Sequence, residues 1–464
     1  MVQETDIAVI GSGPGGYVAA IRASQLGKKV TIIEKESVGG ICLNVGCIPS
    51  KALITAGDKY HDIENYKYFG LTVPEISADF KQVQEYKSDV VNQLTNGVKT
   101  LLKGNKVNVV YGTATFKDKH SLEVVSEDGN KEEIRFQDAI IATGSRPKEI
   151  SALPFSKRIL DSTGVLELPK IPESMIVVGG GVIGVELASA YANFGTKITI
   201  VEGLENILPT INPKLSNEVK KQLKQKGADI YTKAVVKGSH LTDKGVEVET
   251  VINGEKEVFE AEYVLVSIGR TPNSNDLKLN NIEIDITDEG LIKKDQQNRT
   301  TTDNIYAIGD VTKGVQLAHR ASYEAKVAAE AIAGMKTVND YYAMPSVVFS
   351  DPEVATVGEN EEQLQEKGID FIAKRFPFGG NGRAIALQQK SGFINLIAER
   401  STGKILGCEI VGPNASDLIN EITLAMEANL TVQDIALTIH PHPTLGEVVM
   451  EVAEYIDGTP IHTM

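Results

Sequence analysis

The sequence predicts an α/β protein made of two Rossmann-like units followed by an α+β C-terminal region. Two observations carry this. A strand, glycine-rich turn, helix and acid-ended strand occur in that order twice, and beyond residue 344 the chain reads as a strand, a hairpin and then helices. A length of 464 residues also exceeds what one ordinary core encloses, so two to four domains are expected.

The first copy opens with an apolar strand at 6–10 and turns through Gly11-Ser12-Gly13-Pro14-Gly15-Gly16 into a helix around 17–26; a second strand at 29–33 ends at Glu34. Gly11 suits a tight turn, Gly13 a close approach of backbone to a pyrophosphate, and Gly16 close packing of helix on sheet. The helix N-terminus then offers donors to phosphate, and Glu34 is placed to bond an adenosine ribose. The second copy has a strand at 175–178, the turn Gly179-Gly180-Gly181-Val182-Ile183-Gly184, a helix through Phe194 and a strand at 197–201 ending at Glu202. The first glycine and the terminal acid stand 23 residues apart in both copies. One such fingerprint is a weak signal; two with matched acids are a strong one. Glu202 favours NAD over NADP, because a carboxylate bonds free ribose hydroxyls and repels a 2′-phosphate, and no Arg lies between Lys197 and Asn206 to receive that phosphate.

Two further strand ends, at 140–145 and at 305–310, fit a first unit interrupted by the second. In the C-terminal region the reading is a strand at 347–349, a hairpin turning near 401–404, and helices around 416–428 and 446–455.

Between the first fingerprint and the next helix lies Gly39-Gly40-Ile41-Cys42-Leu43-Asn44-Val45-Gly46-Cys47-Ile48-Pro49-Ser50-Lys51. Two thiols at this spacing can close a small disulfide and open it again, a two-electron switch; the plain alternative is two unrelated buried thiols. The chain has 3 cysteines in all, and no second Cys/His cluster suggests zinc or another metal. Cys47 reads as opening a helix, where backbone donors lower a thiol pKa, and Lys51 follows at i+4 on the same side. Cys408, in an apolar strand, reads as a packed core thiol.

A net charge of −15 argues against a broad nucleic-acid surface and suits a basic protein partner. The N-terminus lacks the pattern of a secretory signal, and no uninterrupted membrane-length apolar run is read, so a soluble cytoplasmic protein with no membrane partner is expected.

Taken together, the two fingerprints, the Cys42–Cys47 segment, Ala142-Thr143-Gly144, Gly269-Arg270-Thr271-Pro272-Asn273, Gly309-Asp310 and His440-Pro441-His442-Pro443-Thr444-Leu445-Gly446-Glu447 resemble the pyridine nucleotide–disulfide oxidoreductases over essentially the whole chain. The resemblance implies an FAD-binding domain at 1–146, an NAD-binding domain at 147–268, a central domain at 269–343 completing the FAD site and a dimerisation domain at 344–464. It further implies that Cys42 is the thiol meeting substrate and Cys47 the thiol facing FAD, with Lys51 near the flavin and paired with Glu186. Asp310, Gly112, Thr143, Gly144, Ser145, Gln316, Leu317, Ala318 and His319 would join Gly11, Gly13, Gly16 and Glu34 in holding FAD. Gly179, Gly181, Gly184, Glu186, Glu202, Val236 and Gly269 would hold NAD.

A dithiol must lose protons before it attacks a disulfide, and His442 is the candidate base, with Glu447 fixing its tautomer. His440 is read as structural, and His61, His120, His240, His319 and His462 lie in no comparable His-to-Glu motif. Within the family, the Leu43-Asn44 and Ile48–Leu53 flanks are most similar to members that oxidise protein-bound dihydrolipoamide with NAD in 2-oxo acid dehydrogenase or glycine-cleavage complexes. The resemblance implies a homodimer with shared active sites, serving a dihydrolipoyl group on an acyltransferase or glycine-cleavage carrier, with a basic docking domain as a further partner. The alternatives are members reducing glutathione, mercuric ion or coenzyme disulfides, and a non-catalytic flavoprotein subunit.

Overall fold

The computed structural model describes residues 2–74 and 76–463. Both fingerprints sit at the centre of five-stranded, wholly parallel sheets that share one four-strand order and differ in the fifth strand, an edge strand that comes last in the first unit and first in the second. In the first, Ile7–Ile10 is flanked by Val30–Glu34 and Asp138–Ile141, with Asn108–Tyr111 and Ile305–Ala307 at the edges. In the second, Ser174–Val178 lies between Lys197–Val201 and Tyr263–Val266, with Asp229–Tyr231 and Ile159–Leu160 outermost. The central strands Ile7–Ile10 and Met175–Val178 are buried throughout, because helices cover one face of each parallel sheet and strands of a smaller sheet cover the other.

The fingerprint elements fall within three residues of the sequence reading, with helices at Pro14–Gln25 and Val182–Asn193 after the glycine turns. The C-terminal region is a five-stranded antiparallel sheet, Ser346–Val348, Glu353–Gly358, Ile405–Gly412, Phe393–Glu399 and Phe371–Pro377 in spatial order, packed by helices Ala415–Glu427 and Glu447–Asp457. Cys408 is fully buried there, as read.

Smaller sheets were not legible in the sequence. Val2–Glu4 pairs with Lys131–Arg135 at the edge of a four-stranded sheet, and residues 234–261 form a three-stranded antiparallel one. Ser145–Pro147 pairs antiparallel with Arg270–Pro272, so the chain leaves the first parallel sheet and returns to it along adjacent paths.

The helix Cys47–Asp62 packs Leu53 and Ile54 into a core shared with Val185, Ala188 and Tyr191 of the second fingerprint helix. Burying Leu53 completely stabilises this contact by about 1.5–3 kcal/mol. Residues Gly40–Asp62 reach membrane length, and an 18-residue window within them has mean hydropathy 1.2. The stretch breaks at Gly46 into two helices, and part of its longer helix lies in this protein core.

Candidate active site

The two glycine turns are built alike. Gly11 and Gly179 have φ of +95° and +102°, which a side chain rarely tolerates. A Cβ on Gly16 would lie 1.8 Å from the Gly11 carbonyl oxygen, and one on Gly184 2.1 Å from that of Gly179. Each helix begins at a glycine N-cap, Gly13 or Gly181, without a capping side chain and without an acidic residue in its first turn. First-turn amides are therefore left to meet an external anion, which is what a dinucleotide pyrophosphate requires.

The acids do more than was read from them. Glu34 Oε2 accepts from the Ser12 amide (2.9 Å) and hydroxyl (2.6 Å), and its Oε1 accepts from the Glu36 amide (2.9 Å). Glu202 repeats the pattern with the amides of Gly180 (2.6 Å) and Leu204 (2.7 Å). Both carboxylates thus brace their own glycine turn while keeping acceptor capacity for a ribose. The Gly112 amide donates to the Glu34 carbonyl (2.9 Å), placing Gly112 beside that acid.

Cys42 and Cys47 form a disulfide, with Cα atoms 4.6 Å apart. Cys42 lies in the short helix Gly40–Val45, and Cys47 is the first residue of Cys47–Asp62, whose N-cap Gly46 supplies no side chain. That position is favourable for a thiolate once the bond opens. The segment rests directly on the first glycine turn: the Gly39 amide donates to Ser12 O at 3.1 Å, and a Cβ on Gly40 would come within 2.6 Å of Gly13 Cα.

Beyond the disulfide, Lys51 Nζ lies 2.8 Å from Glu186 Oε2, while Glu186 Oε1 accepts from the Phe349 amide (2.9 Å) and the Phe349 ring lies 4.6 Å from the ammonium. Three distant segments meet at this ion pair. On the other side, Ser145 donates to Asp310 Oδ2 (2.7 Å) and accepts from Arg270 Nε (2.7 Å), while Arg270 also donates to Ser145 O (2.7 Å). Burial pulls the Arg270 pKa down, with Asp310 and Asp161 opposing. Thr143 donates to Asn273 O (2.7 Å), and Asn273 donates back to Thr143 O (3.0 Å) and through its amide to Gly144 O (2.9 Å). Arg270 and Asn273 were absent from the expected site residues; a cation and an amide beside Gly269 were the signal available.

Leu317 is the N-cap of Ala318–Ile332, which packs on the first fingerprint helix through Ala321 beside Gly15. His319 lies 2.8 Å from Pro345 O, and Gln316 is exposed. Gly269 has φ +119°, and Val236 is half-buried against the core of the second sheet, so packing accounts for part of its role.

Further along the cysteine-bearing helix, Asp58 accepts from Asn193 Nδ2 (2.7 Å); Lys226 donates to Asn193 Oδ1 (2.5 Å) and pairs with Asp351. Burial first, then Asp351 and Asp62, push the Asp58 carboxyl up to about 7 against the opposing Lys226 and Asn193. The folded pKa lies above the unfolded value of about 3.9, so from about pH 4 to 7 the native chain holds a proton that the unfolded chain releases, and stability falls as pH rises through that window. Asp58→Asn is expected to flatten the slope and to stabilise the protein by about 1–3 kcal/mol above pH 8. Thermal melts of both forms at pH 5 and 8.5 check this; an equal loss between the two pH values in both would contradict it.

His442 Nδ1 lies 2.7 Å from Glu447 Oε1, and Glu447 Oε2 accepts from the Thr444 amide (2.8 Å). Burial alone would raise the Glu447 pKa, but the Thr444 amide and His442 outweigh it and hold the carboxyl below its usual range. The imidazole is 79% exposed, with no hydrogen bond at Nε2 among the described residues. His440 is buried against Glu421 (3.0 Å), in keeping with a structural part. His240 and His462 also find carboxylate partners, Glu249 and Glu451, through tertiary contacts that their sequence surroundings did not signal.

The chain is similar to known proteins over nearly its whole length. The sequence profile of the pyridine nucleotide-disulphide oxidoreductases matches residues 5–325, and that of the dimerisation domain of the same group matches residues 344–453. The chain belongs to the pyridine nucleotide–disulphide oxidoreductase family. Among relatives in this family, dihydrolipoyl dehydrogenase of Geobacillus stearothermophilus is 54% identical over 459 residues, 99% of this chain and 97% of the relative. That of Bacillus subtilis is 52% identical over 460 residues, 99% and 98% of the two chains. Among solved structures, LpdA from Mycobacterium tuberculosis superposes with TM-score 0.91 at 25% identity, covering 98% of this chain and 99% of that one. A Cu(II) complex of RclA from Escherichia coli, an HOCl-induced flavoprotein disulfide reductase, gives 0.89 at 28%, with the same coverage.

Within the oxidoreductase frame, the expected residues of the disulfide, the two phosphate turns, the Lys51–Glu186 pair and the His442–Glu447 pair are each brought together. Among the described residues, no hydrogen bond joins His442 to Cys42 or Cys47 of the same chain.

Proposed function

We propose that the protein oxidises a dihydrolipoyl group, carried on a partner protein, to its lipoyl disulfide and reduces NAD to NADH, the activity named for relatives 52–54% identical to it. The single observation that carries this reading is the Cys42–Cys47 disulfide lying on the first phosphate turn, in a chain that also holds an exposed imidazole oriented by a carboxylate. The first unit is the FAD domain at 1–146 and the second the NAD domain at 147–268, with a central domain at 269–343 and a dimerisation domain at 344–464.

His442 takes a proton at Nε2 from one substrate thiol, and Glu447 stabilises the imidazolium. The substrate thiolate attacks Cys42 Sγ, and the Cys42–Cys47 bond breaks with Cys47 leaving as thiolate at a helix N-terminus. The second substrate sulfur, losing its own proton, attacks the first; lipoamide leaves and Cys42 departs as a thiol. Bound FAD supplies a two-electron relay between the reduced cysteine pair and NAD. Lys51 and Asp310 orient it, Gly13 and Gly181 admit the two pyrophosphates, and Glu202 selects NAD through its ribose.

A homodimer with shared active sites follows from the exposed His442 and from the large apolar side chains around it. Leu437 is 77% and Ile439 95% exposed on the segment leading to the base, an apolar surface suited to a second copy. The carrier is an acyltransferase or glycine-cleavage protein, a basic docking domain complements the charge of −15, and the location is cytoplasmic.

The FAD-loaded protein mixed with dihydrolipoamide is expected to reduce NAD to NADH, and to reduce NADP to NADPH at least about 100-fold more slowly. Failure to form NADH, with FAD bound, would refute the reading.

A further inference from the structure

The His442–Glu447 pair stands on a loop, and a loop holds catalytic geometry only as well as its supports. Among the described residues, one side chain distant in sequence donates a hydrogen bond to the backbone between base and acid. Asn381 Nδ2 donates to Thr444 O at 3.0 Å across 63 residues, and Asn381 is 4% exposed. Thr444 is the residue whose amide holds Glu447 Oε2, and its hydroxyl donates to Pro441 O at 2.8 Å. Asn381 thus grips the carbonyl of the same residue whose N–H grips the acid that orients His442.

Asn381 is itself anchored on two sides. Its Oδ1 accepts from the Ala384 amide at 2.9 Å, capping the short helix Gly382–Ala386, and its own amide donates to Phe378 O at 3.0 Å. Phe378 is fully buried in the core of the antiparallel sheet. A continuous line therefore runs from that core through Phe378, Asn381, Thr444 and Glu447 to His442.

We infer that Asn381 is a positioning residue for the base, acting through its side-chain amide on Thr444 and through Thr444 on Glu447. The inference rests on the reading of His442 as the base in dithiol oxidation. Its two hydrogen-bonding atoms can be separated chemically. Asp keeps the oxygen that caps Gly382–Ala386 and replaces the donor facing Thr444 O with an acceptor, so it preserves the cap and breaks the grip. Ser also caps, but lacks a donor with the reach of the amide.

The test compares wild type, Asn381→Asp, Asn381→Ser and His442→Gln, each as the FAD-loaded enzyme. The measurements are dihydrolipoamide oxidation across pH 5–9 and NADH oxidation by a quinone acceptor, which needs no thiol base. Both Asn381 variants are expected to keep quinone reduction within about twofold, while dithiol oxidation falls about tenfold or more. The acid limb of kcat/KM should also move to lower pH, because a loosened Glu447 stabilises the imidazolium less. A merely structural role would lower both activities together and leave the limb in place; that result would overturn the inference, as would wild-type dithiol rates in Asn381→Asp. If His442→Gln retained the dithiol rate, the reading of the base would fall and the inference with it, whereas an effect in His442→Gln alone would remove only Asn381.

Discussion

Cys42→Ser is expected to lose dihydrolipoamide oxidation by at least about 10⁴-fold while keeping FAD and NADH-dependent quinone reduction. The disulfide is both the electrophile and the electron acceptor, and a serine oxygen can be neither, so no slower route through the same residues remains. The fold should survive. Cys42 is only half-buried, and its helix is held by the Asn44 side chain, which donates to Val38 O at 3.1 Å and Gly40 O at 2.8 Å. Cys47 then keeps its helix N-terminus as a free thiol, and alkylation of Cys47 in the variant should be faster at neutral pH than alkylation of the buried Cys408, whose pKa burial pushes well up. NADH formation under excess dithiol is the measurement. A residual rate above 1% of wild type would mean that the electrons do not pass through the disulfide.

His442→Gln is expected to slow dithiol oxidation by about 10²–10⁴-fold, the usual worth of a positioned base. Gln can still bond Glu447 but cannot take the thiol proton. Only substrate already ionised in solution would then react, so the rate of the variant should climb about tenfold per pH unit below the thiol pKa. Wild type should show no such climb above the pKa of its base. Quinone reduction by NADH, which calls on no substrate thiol, should be unchanged. A variant with wild-type dithiol rates, or with a parallel pH dependence, would remove His442 from the mechanism.

The architecture was largely legible before folding. Strand, glycine turn and helix are local features: an apolar run that can sit in a parallel sheet, a φ that only glycine adopts freely, and a helix whose Cβ-free start leaves its amides open. Both copies therefore appear in the structure within three residues of where the sequence places them. The strand Val2–Glu4 escaped notice because it is a short edge strand whose identity comes from pairing with Lys131–Arg135, a partner more than a hundred residues away. The His–Glu pairs at His440 and His462 escaped for a different reason: their partners, 19 and 11 residues away, meet them only because a loop packs against helix Ala415–Glu427 and the tail after helix Glu447–Asp457 folds back on it.

By itself the sequence placed the two nucleotide units, the Cys42–Cys47 pair and the His442–Glu447 pair, and their order along the chain carried the resemblance to the family. Each lies within a short run of chain, where spacing alone constrains geometry. Only the tertiary structure decided what supports them: Glu34 and Glu202 bracing their own turns, Arg270 joined through Ser145 to Asp310, Glu186 shared between Lys51 and the Phe349 amide, and Asn381 under Thr444. These contacts span 22 to 165 residues. A hydrogen bond across such a distance leaves no periodic trace in the chain, because its partners are set by how separate sheets pack and not by the residues between them.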